Sequence, residues 1–156
     1  MKEIPSEKKS SSILPPTEAL NAYLAIQRTY NVVNRTVSKK LAKWRLSVPK
    51  YGVILQLYDH ETLPLSELSK LIFCGNSHLT ALVDRMERDG LVQRVNNEND
   101  RRVKEIRLTE KGRELAPKVI AEYRPFLHQM MSRLSPEDQR VLKDLLTRLK
   151  ERLEEG

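Results

Sequence analysis

With 156 residues, 39% apolar and 31% charged, the chain is long enough for one domain with a real core and reads as soluble and globular. No apolar run approaches the roughly 18 residues of a transmembrane helix. The opening MKEIPSEKKSSS lacks the apolar stretch of a secretory signal, and the single cysteine, Cys74, excludes an intrachain disulfide. These features predict a cytoplasmic protein with no membrane partner. The formal net charge of +7 is unevenly placed: residues 1–50 carry ten basic and three acidic side chains, whereas residues 51–156 carry 18 of each sign. A basic N-terminal third suits a polyanion such as nucleic acid, although a solvated helix face gives the same count.

Residues 1–16, rich in Ser, Lys and Pro, predict a flexible basic arm. Thr17 has the chemistry of a helix N-cap, with Glu18 in the first turn. Leu20, Tyr23, Ile26, Tyr30, Val33, Val37, Leu41 and Trp44 recur at steps of three or four, which predicts one amphipathic helix over 17–45. It is too long for a small domain to cover, so its stripe asks for a second chain. Ser47 and Pro49 open a second helix to about residue 58. A short third helix follows over 65–72. After a break at 73–75, a fourth helix over 76–89 puts Leu79, Leu82, Val83 and Met86 on one face and stops at Gly90. A strand over 91–95, a polar turn over 96–99 and a return strand over 102–108 make a hairpin with Ile106 and Leu108 on one face. Thr109 caps a long helix to about residue 134, with a kink or interruption expected at Pro117 and Pro125. Ser135-Pro136-Glu137-Asp138 starts a last helix with Leu142, Leu145, Leu146, Leu149 and Leu153 on one face.

This order predicts a mainly α fold with a small two- to three-stranded β wing: a winged helix-turn-helix flanked by terminal helices. In helix-turn-helix proteins the second helix of the pair enters the major groove. Here it opens with Asn76, Ser77, His78, Thr80 and Ala81, which are uncharged and short enough to approach base edges. An ordinary polar helix surface would look the same. Arg85 and Arg88 follow, but Asp84, Glu87 and Asp89 accompany them, so the helix is no basic rod, and Arg85 can pair with Asp89 one turn on. The five glycines form no phosphate loop and no nucleophile elbow occurs, so no catalytic residue is expected. His60, His78 and His128 are too scattered, even with Cys74, to hold a metal, and no cofactor is implied.

Three pieces occur together: LTALVDRMERDGLVQR at residues 79–94, Asp100-Arg101-Arg102, and LTEKG at residues 108–112. In content and spacing they resemble the MarR family of bacterial transcription regulators, named for multiple antibiotic resistance. The similarity is strongest over 65–112 and extends more weakly over roughly 17–153. It implies a homodimer in which 17–45 and 109–156 dimerise and 47–108 forms the DNA-binding lobe. It also implies a near-palindromic duplex DNA operator, bound for repression and released by a small-molecule effector. Arg85 resembles a family position that reaches DNA. The wing arginines, Arg101 and Arg102, would grip DNA beside the groove that holds the fourth helix. Asp100 stands two residues from Arg102, on the same side of an extended chain, where its carboxylate can hold the guanidinium in place.

Two positions depart from the family pattern. Gly75 replaces the usual Ser or Thr cap, and Cys74 stands where an aliphatic residue is usual, which reads as a small buried hydrophobe. Tyr30, Trp44, Tyr51 and Tyr123 fall where the first, second and fifth helices should converge. Relatives have a pocket for aromatic or phenolic compounds near there, although aromatics at helical spacing also serve simply as core. The alternative function for the same fold is a winged-helix module that binds protein and not DNA.

Overall fold

The computed structural model of the protein describes residues 17–72, 76–97 and 102–155. Cys74, Gly75, Asp100 and Arg101 lie outside the described residues. The chain divides into two compact units, Met1–Thr36 and Val37–Gly156. The first contains most of helix α1 (Glu18–Leu41). Thr17 caps it: its hydroxyl accepts the Leu20 N–H at 3.2 Å and its carbonyl accepts the Asn21 N–H at 2.9 Å. Leu20, Tyr23, Ile26 and Tyr30 recur on this helix and all are exposed.

The α-helix ends at Leu41, short of the expected residue 45. Ala42–Trp44 tightens into a 3-10 turn, and Arg45 adopts a left-handed conformation with φ 56° and ψ 31°. The Arg45 N–H bonds to the Ala42 carbonyl at 2.9 Å and the Leu46 N–H to the Leu41 carbonyl at 3.3 Å. This is the paired closure usually built on glycine, so the stop carried no glycine signal. Ser47 then caps α2 (Val48–His60), accepting the Lys50 N–H, with Pro49 in the first turn. Glu61, at φ 54°, swings the chain into β1 (Thr62–Pro64). Next come α3 (Leu65–Leu71), α4 (Asn76–Arg88), β2 (Val92–Asn96) and β3 (Lys104–Leu108). Then follow α5 (Glu110–Met131) and α6 (Pro136–Glu154).

The three strands form one antiparallel sheet in the order β1-β3-β2, with Leu63 and Arg94 on either side of Ile106. The hairpin itself is closed by the Asn97 N–H to the Val103 carbonyl at 3.0 Å. The return strand starts at Lys104, so Arg102 sits on the turn and not in the ladder. α5 runs as one helix through Pro117 and Pro125, so of the expected kink or interruption the interruption does not occur. Both prolines lie on the exposed face of α5, where a carbonyl that loses its helical donor can turn to water.

The core of the second unit gathers the apolar faces of α2, α3, α4, the sheet and the first half of α5. Val53, Ile54, Leu68, Leu79, Val83, Met86, Ile106, Leu108, Ala116 and Val119 are essentially sealed from solvent. Truncating any of the large ones to alanine would cost about 2–5 kcal/mol. α6 is the opposite case. None of its residues is buried, and Val141, Leu142, Leu145, Leu146, Leu149 and Leu153 are all exposed. Ser135 caps that helix by accepting the Asp138 N–H at 3.1 Å, with Pro136 in its first turn.

Candidate nucleic-acid interface

The 3.6-residue period sorts α4 into two faces. Leu79, Leu82, Val83 and Met86 are buried, and Ser77, His78, Thr80, Ala81, Asp84, Arg85 and Arg88 are exposed. Asn76 opens the helix. The first two turns thus present short uncharged side chains outward from a helix anchored on its other side.

The acids of α4 and its C-terminal turn meet cations from other elements. Arg94 on β2 reaches back to two of them: its Nη2 lies 2.6 Å from the Asp84 carboxylate, and its Nη1 bonds Glu87. The backbone N–H of Arg94 also donates to Glu87 Oε1 at 2.9 Å. Asp89 takes Lys50 of α2 at 2.6 Å. That hydrogen bond, followed by the nearby charges of Lys50, Lys111 and Arg88, holds the Asp89 carboxyl below its ordinary value. Arg85 therefore does not pair with Asp89, and among the described residues it forms no ion pair. Arg94 and Lys50 were not among the expected site residues. No short-range pattern marks them, because each bridge joins different elements.

The C-terminal end of α4 is clasped to the start of α5 by LTEKG. Gly90, at φ +70°, lets its own N–H reach the Glu87 carbonyl at 2.9 Å and the Leu91 N–H reach the Met86 carbonyl at 2.9 Å. The Thr109 hydroxyl accepts the Gly112 N–H at 3.1 Å as the α5 cap and donates to the Gly90 carbonyl at 2.6 Å. Lys111 Nζ donates to the Asp89 carbonyl at 2.7 Å, where cationic groups favour a helix C-terminus. Gly112 passes so close to the Leu91 carbonyl that a Cβ would stand 2.2 Å from its oxygen. Leu108 fills the core. The motif fixes where α4 points.

At the wing, Arg102 is exposed on the turn. Inward from the tip, Lys104 Nζ bonds the Asn96 side-chain carbonyl and the Asn97 amide bonds Glu105.

Of the four aromatics, Tyr51 and Tyr123 come together, with ring centroids 4.4 Å apart at 58°. Both are buried, and burial pushes both phenols above their ordinary value. Phe126 extends the cluster, 5.9 Å from Tyr123. Trp44 instead carries Lys43 over its ring at 4.1 Å and lines an open cleft of about 510 Å³ with Arg45, Lys50, Asp89, Leu91, Lys111 and Leu115. Tyr30 lies on α1 in the N-terminal unit and is exposed. Among the described residues no cluster of His, Cys, Asp or Glu could hold a metal, and no helix is long and apolar enough to cross a membrane.

The profile of the MarR family matches residues 46–104. The HTH-type transcriptional regulator MhqR of Bacillus subtilis (strain 168) is 26% identical over 132 residues, covering 85% of this chain and 91% of its own. The organic hydroperoxide resistance transcriptional regulator of the same bacterium is 34% identical over 113 residues, covering 72% of this chain and 76% of its own. Among solved structures, AbsC, a MarR family transcriptional regulator from Streptomyces coelicolor, has a TM-score of 0.79 at 26% identity, covering 90% of this chain and 97% of its own. With the helix-turn-helix, the wing and the LTEKG clasp all in place, the chain belongs to the MarR family of DNA-binding transcription regulators.

Proposed function

We propose that this regulator acts as a homodimeric repressor in the cytoplasm, has no catalytic activity, and binds a near-palindromic operator. In this reading α4 lies in the major groove, where Asn76, Ser77, His78, Thr80 and Ala81 meet base edges and Arg85 reaches the backbone. Asp100, Arg101 and Arg102 work at the adjacent minor groove, where an inserted guanidinium meets concentrated negative potential. The observation that carries the proposal is the outward face of α4: Ser77, His78, Thr80 and Ala81 are all exposed, while its acids are bound by Arg94 and Lys50.

The dimer is proposed to form through residues 17–45 and 109–156, with 47–108 as the DNA-binding lobe. The exposed leucines of α6 and the exposed apolar residues of α1 support it, because such rows on a lone chain invite a partner surface. Release by a small aromatic or phenolic effector is proposed, with Trp44, Tyr51 and Tyr123 of the second unit as candidate contacts. The test is retardation of a duplex selected from a random library, repeated at two salt concentrations. DNA binding should weaken steeply with salt, because neutralised phosphates release counterions. Removing residues 135–156 should abolish dimer and binding together; a folded, DNA-competent monomer would reject the dimer.

A further inference from the structure

Asp84 stands in an awkward place. It is seven residues after Ser77, four after Thr80 and three after Ala81, so it shares their face of the helix. A bare carboxylate there would face the same polyanion that the face is meant to approach. Glu87 lies three residues further. Arg94 answers both. On β2 it stands two residues from buried Val92 and opposite buried Ile106, so its stem leaves from the core side of the sheet. Its two terminal nitrogens then separate, one to Asp84 at 2.6 Å and one to Glu87. Arg94 and Glu87 are each only 30% exposed at the side chain, against 51% for Asp84. The fork is thus half-buried at Arg94 and Glu87 and most open to solvent at the Asp84 end.

We propose that Arg94 is a positioning residue for DNA binding: without touching DNA, it masks the two carboxylates of α4 and locks the wing to the recognition helix. The inference rests on the reading of α4 as the DNA-contacting helix. A planar guanidinium suits the task because it can serve two carboxylates at once, whereas an ammonium is a single point of charge. The bridge also ties β2, which leads into the wing turn, to a fixed point on α4. Distance between reader helix and wing then becomes a property of the fold and not of the encounter with DNA, and pre-set geometry reduces what binding must order.

The test is a double-variant cycle on the full-length protein. The chains compared are wild type, Arg94→Gln, Asp84→Asn/Glu87→Gln, and the triple variant. Each is titrated at fixed salt against one labelled duplex recovered by the wild-type protein from a random library. Folding is checked at the binding temperature, with Arg94→Lys as the substitute should the glutamine variant unfold. Arg94→Gln should weaken binding by about tenfold or more. In the background lacking both carboxylates, the same change should cost about threefold or less, because nothing remains to mask. Hydrogen exchange at the β2 amides of the free protein should quicken in Arg94→Gln. An equal loss in both backgrounds, with the salt slope reduced by about one unit in each, would make Arg94 a direct phosphate contact and overturn the proposal. Unchanged affinity in Arg94→Gln, while wild type still binds, would overturn it and leave the DNA-binding reading standing. A wild-type protein that retains no duplex would overturn both.

Discussion

Replacing Gly112 with alanine should destabilise the protein, although alanine is the better helix former by about 0.8–1 kcal/mol in a helix interior. The added Cβ would stand 2.2 Å from the Leu91 carbonyl oxygen and 3.2 Å from its carbon, inside the 3.0 Å that real Cβ atoms respect at the first contact. Leu91 would have to retreat by at least about 0.8 Å. That carbonyl also accepts the Thr109 N–H at 3.1 Å, so the retreat carries the bond to the edge of hydrogen-bonding range. Overpacking of this kind costs about 1–3 kcal/mol and a lost hydrogen bond about 0.5–1.5 kcal/mol. Set against the gain in propensity, the net destabilisation is roughly 2 kcal/mol, or a fall in Tm of about 4–8 °C for a chain of this size. Gly52 is the internal control. On α2, a Cβ there meets Ile72, the residue that closes α3, at 3.5 Å, an ordinary contact, so Gly52→Ala should be neutral or stabilising by up to about 1 kcal/mol. Urea and thermal unfolding of the three proteins, at one protein concentration because the proposed dimer would contribute, decides the matter. A Gly112→Ala protein as stable as wild type would mean that the close approach of α5 to Leu91 is not what the motif's glycine provides.

Four further outcomes are expected. Arg102→Ala should weaken operator binding by about 1–3 kcal/mol and reduce its salt dependence while the fold is retained, and unaltered titrations would remove the wing from the interface. His78→Ala should change the consensus recovered by in vitro selection more than it changes general affinity; an identical consensus would show that His78 reads no base. Arg45→Gly should raise the urea midpoint, since the left-handed conformation costs a non-glycine residue about 1–2 kcal/mol and glycine's unfolded-state entropy returns only part of that. A lower midpoint would mean that the Arg45 side chain earns its strained backbone. The Tyr51–Tyr123 pair should make the protein sensitive to alkali. Burial raises both phenols above 10.0, so the fold keeps protons that the unfolded chain releases, and this stabilisation is intact below pH 10 and falls as pH rises through the folded values. Tyr123→Phe should flatten the alkaline limb of a stability–pH curve, and an unaltered limb would deny the phenol that part.

What could be read from the sequence followed what is periodic or local. Leu79, Leu82, Val83 and Met86 announce the buried side of α4, and their complement announces which side chains face out. Thr109 and Ser135 were recognisable as caps because capping is settled within four residues. The stop at Arg45 was not, since the usual signal is glycine and the conformation is imposed here on an arginine. β1 is only three residues long and ends in proline, so it shows no alternation; it exists because β3 offers it a partner more than forty residues on. Pro117 and Pro125 misled in the other direction, because proline's local cost was visible while the solvent exposure that makes it tolerable was not. The Arg94 bridges needed both the direction of β2 and its distance from α4.

The same limit bears on charge. The basic excess of residues 1–50 suggests a polyanion partner when counted along the sequence. In the folded chain, Lys43 bonds Glu122, Lys40 lies 3.6 Å from that carboxylate, and Lys50 is taken by Asp89. Those bonds, chiefly the one from Lys43, hold the Glu122 carboxyl below its ordinary value. Such cations are already partly neutralised, and they release fewer counterions on meeting a phosphate than the formal charge suggests. Conversely, counted along the sequence α4 is no basic rod, because acids accompany its arginines. Arg94 and Lys50 reverse that local balance by covering the acids, while Arg85 is left with no ion pair among the described residues. The charge available to DNA is therefore fixed by which ion pairs the fold completes. It follows that removing Lys43 should change the salt slope of operator binding less than removing Arg85, although each deletes one positive charge. Equal slopes for Lys43→Gln and Arg85→Gln would restore the simple count and refute this assignment.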